Sequence, residues 1–429
     1  MRSPRRPVRP KPHAPATELV IESLGGEGDG VAHTQDGRAV HVPFSLPGER
    51  VRVASGNEIL RIEEIIEPSP QRIAPVCQHF GVCGGCALQH WEANAYLAWK
   101  VERLRGTLAL QHLDCEILDP VAAHPASRRR LALHARRGSR DMVRLGFKER
   151  RSWTVVDVEA CPVADPRLER AFPDLRRMAA PLFEHHKSAP TLHVTLTDDG
   201  LDIEITGVEA KSGGLSADAR TAVATLAARA NFARVTLDGD ALYLARQPRV
   251  RIGPAVVSLP PGAFLQATIP AQEAMTAFVV ENAAGAERIA DLYCGIGTFT
   301  FPLATIAPVL ALEASAAAVR ALSAGVATAP GLKGITAEAR DLTRRPLLVP
   351  EMKKIDLVVF DPPRAGAAEQ CLELARSKVG RVIGVSCNPA TFARDARTLV
   401  DAGFKLDRIL PVDQFLWSPH LELVGVFTR

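Results

Sequence analysis

A thiol and two carboxylates stand near the ends of apolar segments in the last third of the sequence. Cys387 follows the run Arg381–Ser386, and Asp361 follows residues 355–360. A thiolate is a strong nucleophile and a carboxylate can accept a proton, so these residue types suit covalent catalysis. Glu422, close to the C-terminus, is a second available carboxylate. Cys387 could equally be a small buried apolar residue, and Glu422 an exposed strand residue.

A second group of residues is typical of a nucleoside-binding turn. Residues 288–293 form a short apolar strand that leads into a turn containing Gly295 and Gly297. Such glycines let the backbone approach a ligand closely, and Glu313, at the end of the next apolar strand, is placed to hold ribose hydroxyls. NAD is a competing ligand, but the third glycine of the dinucleotide fingerprint is absent, which favours S-adenosylmethionine. A turn that merely connects strand and helix is the remaining alternative.

An α/β fold is needed to bring these residues together. Apolar strands alternate with helical stretches from about residue 288 onwards, which predicts right-handed βαβ units and a doubly wound parallel sheet. Ligands bind beyond the carboxyl ends of the strands in such sheets. Pro362 and Pro363 restrict the backbone after Asp361 and aim its carboxylate into the cleft, although this turn could also be a simple connection.

The N-terminal and middle parts of the chain have different patterns. Residues 18–67 alternate apolar and polar positions between glycine-rich turns, which predicts a small antiparallel β-barrel. The region up to about Pro261 mixes strands and helices, and we interpret it as α+β. Between the barrel and this region lies a C-x5-C-x2-C pattern, with a further Cys-Pro downstream. Four thiolates can hold an iron–sulfur cluster or a structural zinc ion.

Composition limits the classes of protein that the chain can represent. Its 429 residues favour two or three domains, and 47% hydrophobic with 23% charged residues is ordinary for a soluble protein. No apolar run approaches the roughly 18 residues of a membrane span, so we expect a cytoplasmic protein without a membrane partner. The net charge is +4, but basic residues concentrate in residues 1–11 and in the stretch 128–151, a distribution that suits phosphates.

Several segments together resemble the RNA uracil-C5 methyltransferase family. They are residues 291–300, 361–364, 386–395 and 420–422. The resemblance covers nearly the whole chain and implies methyl transfer from S-adenosylmethionine to C5 of a uridine in RNA. It implies that Cys387 is the nucleophile, which adds to C6 of the base, and that Glu422 removes the C5 proton. The residues that it implies on the methyl-donor side are Gln266, Tyr293, Thr298, Glu313, Asp341 and Asp361.

The cysteine pattern and the N-terminal barrel extend this resemblance. The cysteines, with residues 88–91, resemble the iron–sulfur branch of the family, which implies a structural [4Fe-4S] cluster on Cys77, Cys83, Cys86 and Cys161. The resemblance to that branch implies 23S ribosomal RNA as the substrate, and transfer RNA remains the alternative substrate. Residues 25–32 and 42–51 resemble the TRAM domain, an OB-like barrel found on RNA-modifying enzymes.

The sequence departs from the family pattern at four places. Thr268 stands where the family usually has Asn, and Asn is also frequent at the position of Thr298. Residues 416–419 replace a usual Phe-Pro-x-Thr, and the helix after Glu313 lacks an expected Asn-Ala pair. These departures concern the donor side and target choice more than the type of reaction.

The combined prediction is a monomeric RNA-binding enzyme with a Rossmann-like class I methyltransferase domain. The predicted segments are a disordered basic tail (1–15), a TRAM domain (16–70), a central domain with the cluster motif (71–261) and the methyltransferase domain (262–429). One alternative is a non-catalytic RNA-binding scaffold, which would need no nucleophile and base. Another is an adenine amino-methyltransferase, whose loop would carry an aromatic residue at the position of Arg364.

Overall fold

The computed structural model describes residues 17–55, 60–138, 142–211 and 213–429. The predicted basic tail and Arg140 of the basic stretch lie outside these residues. The chain divides into two compact units. The first comprises the described residues up to Gly81, Cys86–Tyr96 and Trp417–Pro419, and the second comprises Val82–Gly85, Leu97–Leu416 and His420–Arg429.

The first unit contains short antiparallel strands, as the alternating pattern predicts. They are β1 (Thr17–Val20), β2 (Ser23–Leu24), β3 (Gly30–His33), β4 (Ala39–Val42), β5 (Arg50–Ser55) and β6 (Leu60–Glu67). They pair in the orders β1-β5-β6 and β2-β3-β4. Inward-facing residues such as Leu19, Val42, Val51 and Val53 form a common core, because alternate residues of a strand point to the same side.

The middle of the chain forms a seven-stranded sheet that is covered by helices on one face. It follows α1 (Ala93–Ala109) and β7 (Glu116–Ile117). Its strands are β8 (Arg130–Arg137), β9 (Val143–Lys148), β10 (Val155–Asp157), β11 (Thr191–Thr197), β12 (Gly200–Thr206), β13 (Arg234–Leu237) and β14 (Asp240–Leu244), in the order β10-β9-β8-β11-β12-β13-β14. The helices are α2 (Pro166–Glu169), α3 (Phe172–Ala179) and α4 (Ala217–Arg229), with a 3₁₀ turn at Ala180–Phe183.

The alternation of buried and less buried residues along β8 identifies the face of this sheet that packs against the helices. Leu131, Leu133 and Ala135 are buried in one core with Leu175 and Met178 of α3. The intervening residues of β8 therefore lie on the opposite face, away from that core.

The last third of the chain forms an eight-stranded sheet after a short hairpin. The hairpin is β15 (Arg249–Ile252) and β16 (Ala255–Ser258). The remaining elements are α5 (Ile269–Asn282), β17 (Ile289–Leu292), α6 (Thr300–Leu303), β18 (Val309–Glu313), α7 (Ala316–Val326), β19 (Ile335–Ala339), β20 (Leu357–Phe360), α8 (Ala368–Arg376), β21 (Arg381–Ser386), α9 (Pro389–Asp401), β22 (Lys405–Val412) and β23 (Glu422–Thr428).

The strand order of this sheet is β19-β18-β17-β20-β21-β23-β22-β7. Neighbours from β19 to β21 are parallel, whereas β23 runs antiparallel to both β21 and β22. Strands β17 and β20 are buried throughout because helices cover both faces, as is usual for parallel sheets. The predicted Rossmann-like α/β fold is confirmed. No helix among the described residues is long and apolar enough to cross a membrane.

Candidate active site

The carboxyl ends of the parallel strands bring predicted site residues to one edge of the eight-stranded sheet. Tyr293 follows β17, Glu313 ends β18, and Asp341 comes two residues after β19. Asp361 follows β20 and Cys387 follows β21. This edge is the position at which an open α/β sheet binds its ligands.

Glu422 reaches the same edge because β23 runs in the opposite direction. Ser386, the last residue of β21, pairs with Leu423 in an antiparallel register. Cys387, which follows Ser386, and Glu422, which precedes Leu423, are therefore also neighbours. Glu422 is only 3% exposed, and Cys387 is half-buried. Burial, followed by the Glu422 charge, raises the pKa of the Cys387 thiol to about 11, while the nearby Arg364 cation opposes this shift.

Glu422 is a buried carboxyl group with a strongly altered proton affinity. Burial raises its pKa to about 8, and the neighbouring charge of Asp361 adds to this effect. Burial also raises the pKa of Asp361 to about 7. Two carboxyl groups that share a poorly solvated edge disfavour simultaneous ionisation, which is a common property of acid–base sites.

Two glutamine side chains connect these carboxyl groups. Gln414 Nε2 donates to Glu422 Oε2 at 2.6 Å and to Gln266 Oε1 at 2.8 Å. Gln266 Nε2 in turn donates to Asp361 Oδ2 at 3.0 Å. Both glutamines are 2% exposed. The structure thus joins the predicted residues Gln266, Asp361 and Glu422 through Gln414, which the sequence analysis missed.

The loops that carry Asp361 and Cys387 are fastened to each other. Asn388 caps α9, with its side-chain oxygen accepting from Ala390 N, and its Nδ2 donates to Arg364 O at 3.0 Å. The Thr391 hydroxyl donates to the same carbonyl at 3.2 Å. Arg364 Nη2 donates to His420 Nδ1 at 3.2 Å. Three segments recognised separately in the sequence therefore form one connected structure.

The glycine turn after β17 leaves space for a ligand. Gly295 has φ +56°, and a Cβ atom at this residue would meet no atom within 4 Å. A Cβ at Gly297 would instead lie 2.6 Å from the Phe301 ring, so Gly297 is required for packing. Asp291 Oδ2 accepts from Thr300 Oγ1 at 2.5 Å, but its buried Oδ1 has no hydrogen-bond partner among the described residues. The space at Gly295 leaves room for a bound nucleoside cofactor, and Asp291, four residues earlier, keeps an unsatisfied polar atom.

The remaining residues of the predicted donor side differ in their surroundings. Glu313 accepts from Gly295 N at 3.1 Å and from Ser315 N at 2.8 Å, which ties the end of β18 to the glycine turn. Thr298 lies half-buried in that turn, whereas Asp341 is exposed and accepts from Thr343 N at 3.0 Å. No described hydrogen bond joins Asp341 to the other site residues.

The loop that carries Gln266 is held by the basic stretch of the central sheet. Arg129 is 5% exposed, and it donates from Nε to Gln266 O at 3.0 Å. Arg130 Nη1 donates to Leu265 O at 2.9 Å. Thr268, at a position where the family usually has Asn, caps α5 by accepting from Ala271 N at 3.3 Å. Both residue types are good helix caps, so this departure keeps the local structure.

The predicted cluster ligands have no metal-binding arrangement in the structure. Among the described residues, no group of at least three His, Cys, Asp or Glu side chains is placed to hold a metal ion. One local feature does suit a cluster loop, since Gly85 N donates to Cys83 Sγ at 3.5 Å. The [4Fe-4S] cluster on Cys77, Cys83, Cys86 and Cys161 therefore stays a prediction from the sequence.

The strand order and the glycine turn define a class I methyltransferase domain. The chain belongs to the tRNA (uracil-5-)-methyltransferase family, whose model matches residues 211–429, and a TRAM domain model matches residues 17–54. It is accordingly an RNA methyltransferase of the uracil-C5 type.

Individual relatives extend the similarity to nearly the full length. An uncharacterized RNA methyltransferase of Caulobacter vibrioides is 62% identical, over 96% of this chain and all of its own. The 23S rRNA (uracil(1939)-C(5))-methyltransferase RlmD of Chromohalobacter salexigens is 34% identical, over 97% of this chain and 90% of its own. The crystal structure of the Pyrococcus abyssi tRNA (uracil-54, C5)-methyltransferase with S-adenosyl-L-homocysteine is 25% identical with a TM-score of 0.71, over 96% of this chain and 99% of its own.

Proposed function

We propose that this enzyme methylates C5 of a uridine in ribosomal RNA, with Cys387 as a covalent nucleophile and Glu422 as the base. The observation that carries the proposal is the proximity of a half-buried thiol, directly after β21, to a buried carboxyl group at the start of β23. A binding scaffold would have no need of this pair, and an amino-methyltransferase would have no need of the thiol.

The two groups divide the reaction into an addition and an elimination. The Cys387 thiol first gives up its proton to solvent. The resulting thiolate forms a bond to C6 of the uracil, and the electron pair of the C5–C6 double bond moves onto C5 and O4. S-adenosylmethionine, when bound, would supply the methyl group that C5 attacks, with the methyl–sulfur bond breaking and S-adenosylhomocysteine departing with its electron pair. Glu422 next accepts the C5 proton, and the electrons of that C–H bond re-form the double bond as the C6–sulfur bond breaks. The thiolate is restored, and the proton resides on Glu422.

The glycine turn after β17 indicates where the methyl donor binds. We assign cofactor contacts to Gln266, Tyr293, Thr298, Glu313, Asp341 and Asp361. Support comes from the open space at Gly295, the unsatisfied Asp291 Oδ1 and the position of Glu313 against the turn. The Asp341 carboxylate also accepts a hydrogen bond from the backbone of its own turn.

The outer face of the central sheet supports an RNA partner. Four residues there, Arg130, Arg136, Arg144 and Lys148, form what we term the cationic face. Among the described residues, no carboxylate forms an ion pair with any of them. Arg136 and Arg144 stand directly opposite each other on β8 and β9, an arrangement that is unfavourable without an anion. A polyanion would supply the missing countercharge.

Two histidine residues on the cationic face have pKa values that are lowered in part by the neighbouring positive charges. Burial lowers the pKa of His134, and the Lys148 and Arg136 charges lower it further. Burial also lowers the pKa of His193, and Arg130 adds to that shift. Both imidazoles are therefore disfavoured in their charged form, as expected where cations accumulate.

Exposed aromatic rings flank the cationic face. The Arg130 guanidinium lies 5.1 Å from the ring of Phe264, which is 65% exposed and two residues before Gln266. Lys148 Nζ lies 3.9 Å from the ring of Trp153, which is 79% exposed. Exposed rings beside cations are typical of surfaces that stack unpaired bases. The target uridine must be unpaired or flipped out to reach Cys387.

Ribosomal RNA is the substrate class that we favour, with transfer RNA as the alternative. The full-length similarity to a 23S rRNA methyltransferase supports ribosomal RNA, and the match to a tRNA methyltransferase structure supports the alternative. Mass-spectrometric mapping of 5-methyluridine in both RNA pools from cells that lack this protein would separate them. We expect loss at a single 23S rRNA position, and loss in tRNA alone would contradict the proposal.

Replacement of the nucleophile tests the reaction itself. Cys387→Ala should reduce methylation to background while thermal stability and methyl-donor binding persist. Cys115→Ala is a matched control, because Cys115 is also half-buried with a pKa raised to about 11 by burial, and it is not among the predicted site residues. An active Cys387→Ala enzyme would exclude covalent catalysis by this thiol.

The cluster enters no step of this proposal. Anaerobically purified protein should nevertheless be brown and contain about four irons per chain if the cysteine resemblance is correct. Colourless protein with one zinc ion per chain would overturn the cluster and leave the methyl transfer intact.

A further inference from the structure

Gln414 occupies a position at the site edge that the addition and elimination steps do not explain. It lies two residues after the end of β22, in the segment that leads to β23. Its Oε1 accepts from the backbone N–H of Ala267 at 2.7 Å. Because a backbone N–H can only donate, this contact determines the orientation of the amide, and Nε2 must face Glu422 and Gln266.

The orientation of Gln414 also determines that of Gln266. Since Gln414 Nε2 donates to Gln266 Oε1, the NH₂ group of Gln266 is the one that faces Asp361 Oδ2. The hydrogen bonds therefore run in one direction, from Ala267 N through two amides to two carboxyl groups. Buried networks with every member satisfied hold their side chains in a single arrangement.

The backbone around Gln414 is held independently of Glu422. Lys100 Nζ donates to Asp413 Oδ1 at 2.8 Å and to Phe415 O at 3.3 Å, and Phe415 N donates to Asp413 Oδ1 at 2.9 Å. Lys100 is 1% exposed and Asp413 is 2% exposed. This buried ion pair fixes the backbone on either side of Gln414 without involving Glu422.

We propose that Gln414 is a positioning residue for the proton-accepting step: its amide binds Glu422 Oε2 and stabilises the carboxylate, which leaves Oε1 to accept the C5 proton. Gln414 is the one hydrogen-bond donor that the described residues offer to this carboxyl group, and none reaches Oε1. The inference rests on the proposed role of Glu422 as the base. Loss of the bond should favour the neutral carboxylic acid, which cannot accept the proton.

Other charged groups surround Glu422 and would affect the same titration. Asp361 and the Cys387 thiol face it from β20 and β21. The Arg364–His420 pair lies in the neighbouring loops, and Lys100 pairs with Asp413, the residue before Gln414. A substitution at Gln414 leaves all of these groups in place, so a changed pH profile would report the lost amide.

The test compares wild-type enzyme with Gln414→Met, whose new side chain has a volume similar to that of glutamine. The measured quantity is the pH dependence of adduct resolution, the step in which the methylated RNA leaves Cys387. Wild-type and variant enzyme would be mixed with methyl donor and a short uridine RNA in single-turnover experiments between pH 6 and 10. We expect adduct formation to stay within about twofold of wild type and resolution at pH 7 to slow at least about tenfold. The rising limb of the resolution rate should move about one pH unit higher.

Gln370→Met is the matched control. Gln370 is fully buried, like Gln414, but within the described part of the chain its amide bonds only the backbone of Leu347, with Leu347 N donating to Oε1 and Nε2 donating to Leu347 O. It should lower the melting temperature without moving the pH profile. Gln414→Met with a wild-type profile, or both variants with the same shift, would overturn the positioning role. Wild-type enzyme that never forms an adduct would instead overturn the proposed function.

Discussion

We term the edge of the eight-stranded sheet that carries Asp361, Cys387 and Glu422 the rim. The rim and the cationic face of the central sheet are built on opposite principles. At the rim, buried groups from distant parts of the chain touch directly, as in the 2.8 Å bond between Gln414 and Gln266. On the cationic face, cations project without ion-pair partners among the described residues. The rim raises the pKa of its acids, and the face lowers the pKa of its histidines.

This difference separates chemistry from recognition. A proton transfer requires donor and acceptor within hydrogen-bond distance, so the rim tolerates little displacement. Attraction of RNA depends on the sum of many screened charges, so any one cation matters little. Changes at the rim should therefore affect the rate by orders of magnitude, and changes on the face should affect affinity modestly.

The largest effect that separates the two regions should come from Glu422→Gln. The amide cannot accept the C5 proton, so turnover should fall at least about 100-fold while RNA affinity stays near wild type. Methylated enzyme–RNA adduct should accumulate and be visible by denaturing electrophoresis. Normal turnover without adduct would show that another group is the base.

An intermediate effect should appear in the pH dependence of the rim. With a Glu422 pKa of about 8, the ionised fraction rises about tenfold between pH 7 and pH 9, and the methylation rate should rise at least as much. Stability should change in the opposite direction. Because the native state holds a proton that the unfolded chain releases near pH 4.5, stability is lost progressively as pH rises from about 4.5 to about 8.

Glu422→Gln removes that titration and tests its sign. The variant should melt above wild type at pH 9 and close to wild type near pH 4. Equal melting temperatures at both pH values would place the Glu422 pKa near its ordinary range.

The smallest effect should come from the cationic face. Arg144→Ala combined with Lys148→Ala should weaken RNA binding about threefold to tenfold, with little change in the methylation rate at saturating RNA. The slope of the logarithm of the RNA binding constant against the logarithm of salt concentration should become shallower by roughly 0.7 per cation removed. Arg320→Ala with Lys353→Ala removes the same charge from exposed positions elsewhere and serves as control. Equal effects of the two double variants would show that net charge alone attracts RNA.

The sequence allowed prediction of the parallel strands and of the thiol and acid at their ends. Asp361 and Cys387 were predictable because each directly follows an apolar strand, and parallel strands share one edge. The neighbourhood of Glu422 was not, because it depends on the antiparallel register between β21 and β23. Gln414 lay beyond sequence reasoning, although a polar residue just after the apolar end of β22 was the available signal.

The basic stretch shows the limit of reading charge from sequence. Arg129 was grouped with residues suited to phosphates, but it is buried and binds the Gln266 carbonyl and the Gln272 side chain. Neighbouring residues of a strand point to opposite sides, but the sequence does not say which side is buried. The buried Arg129 is therefore distinguished from the outward-facing cations only in the structure. Arg130 also has a structural role, since it contacts Leu265 O and the Phe264 ring.

The most direct test of covalent catalysis is trapping with RNA that carries 5-fluorouridine at the target position. Fluorine cannot leave as a proton does, so Glu422 cannot complete the elimination and the adduct persists. With methyl donor present, the wild-type enzyme should form a stable one-to-one adduct, and mass spectrometry should locate the RNA on the peptide that contains Cys387. Absence of any adduct, or attachment at another cysteine, would contradict the account.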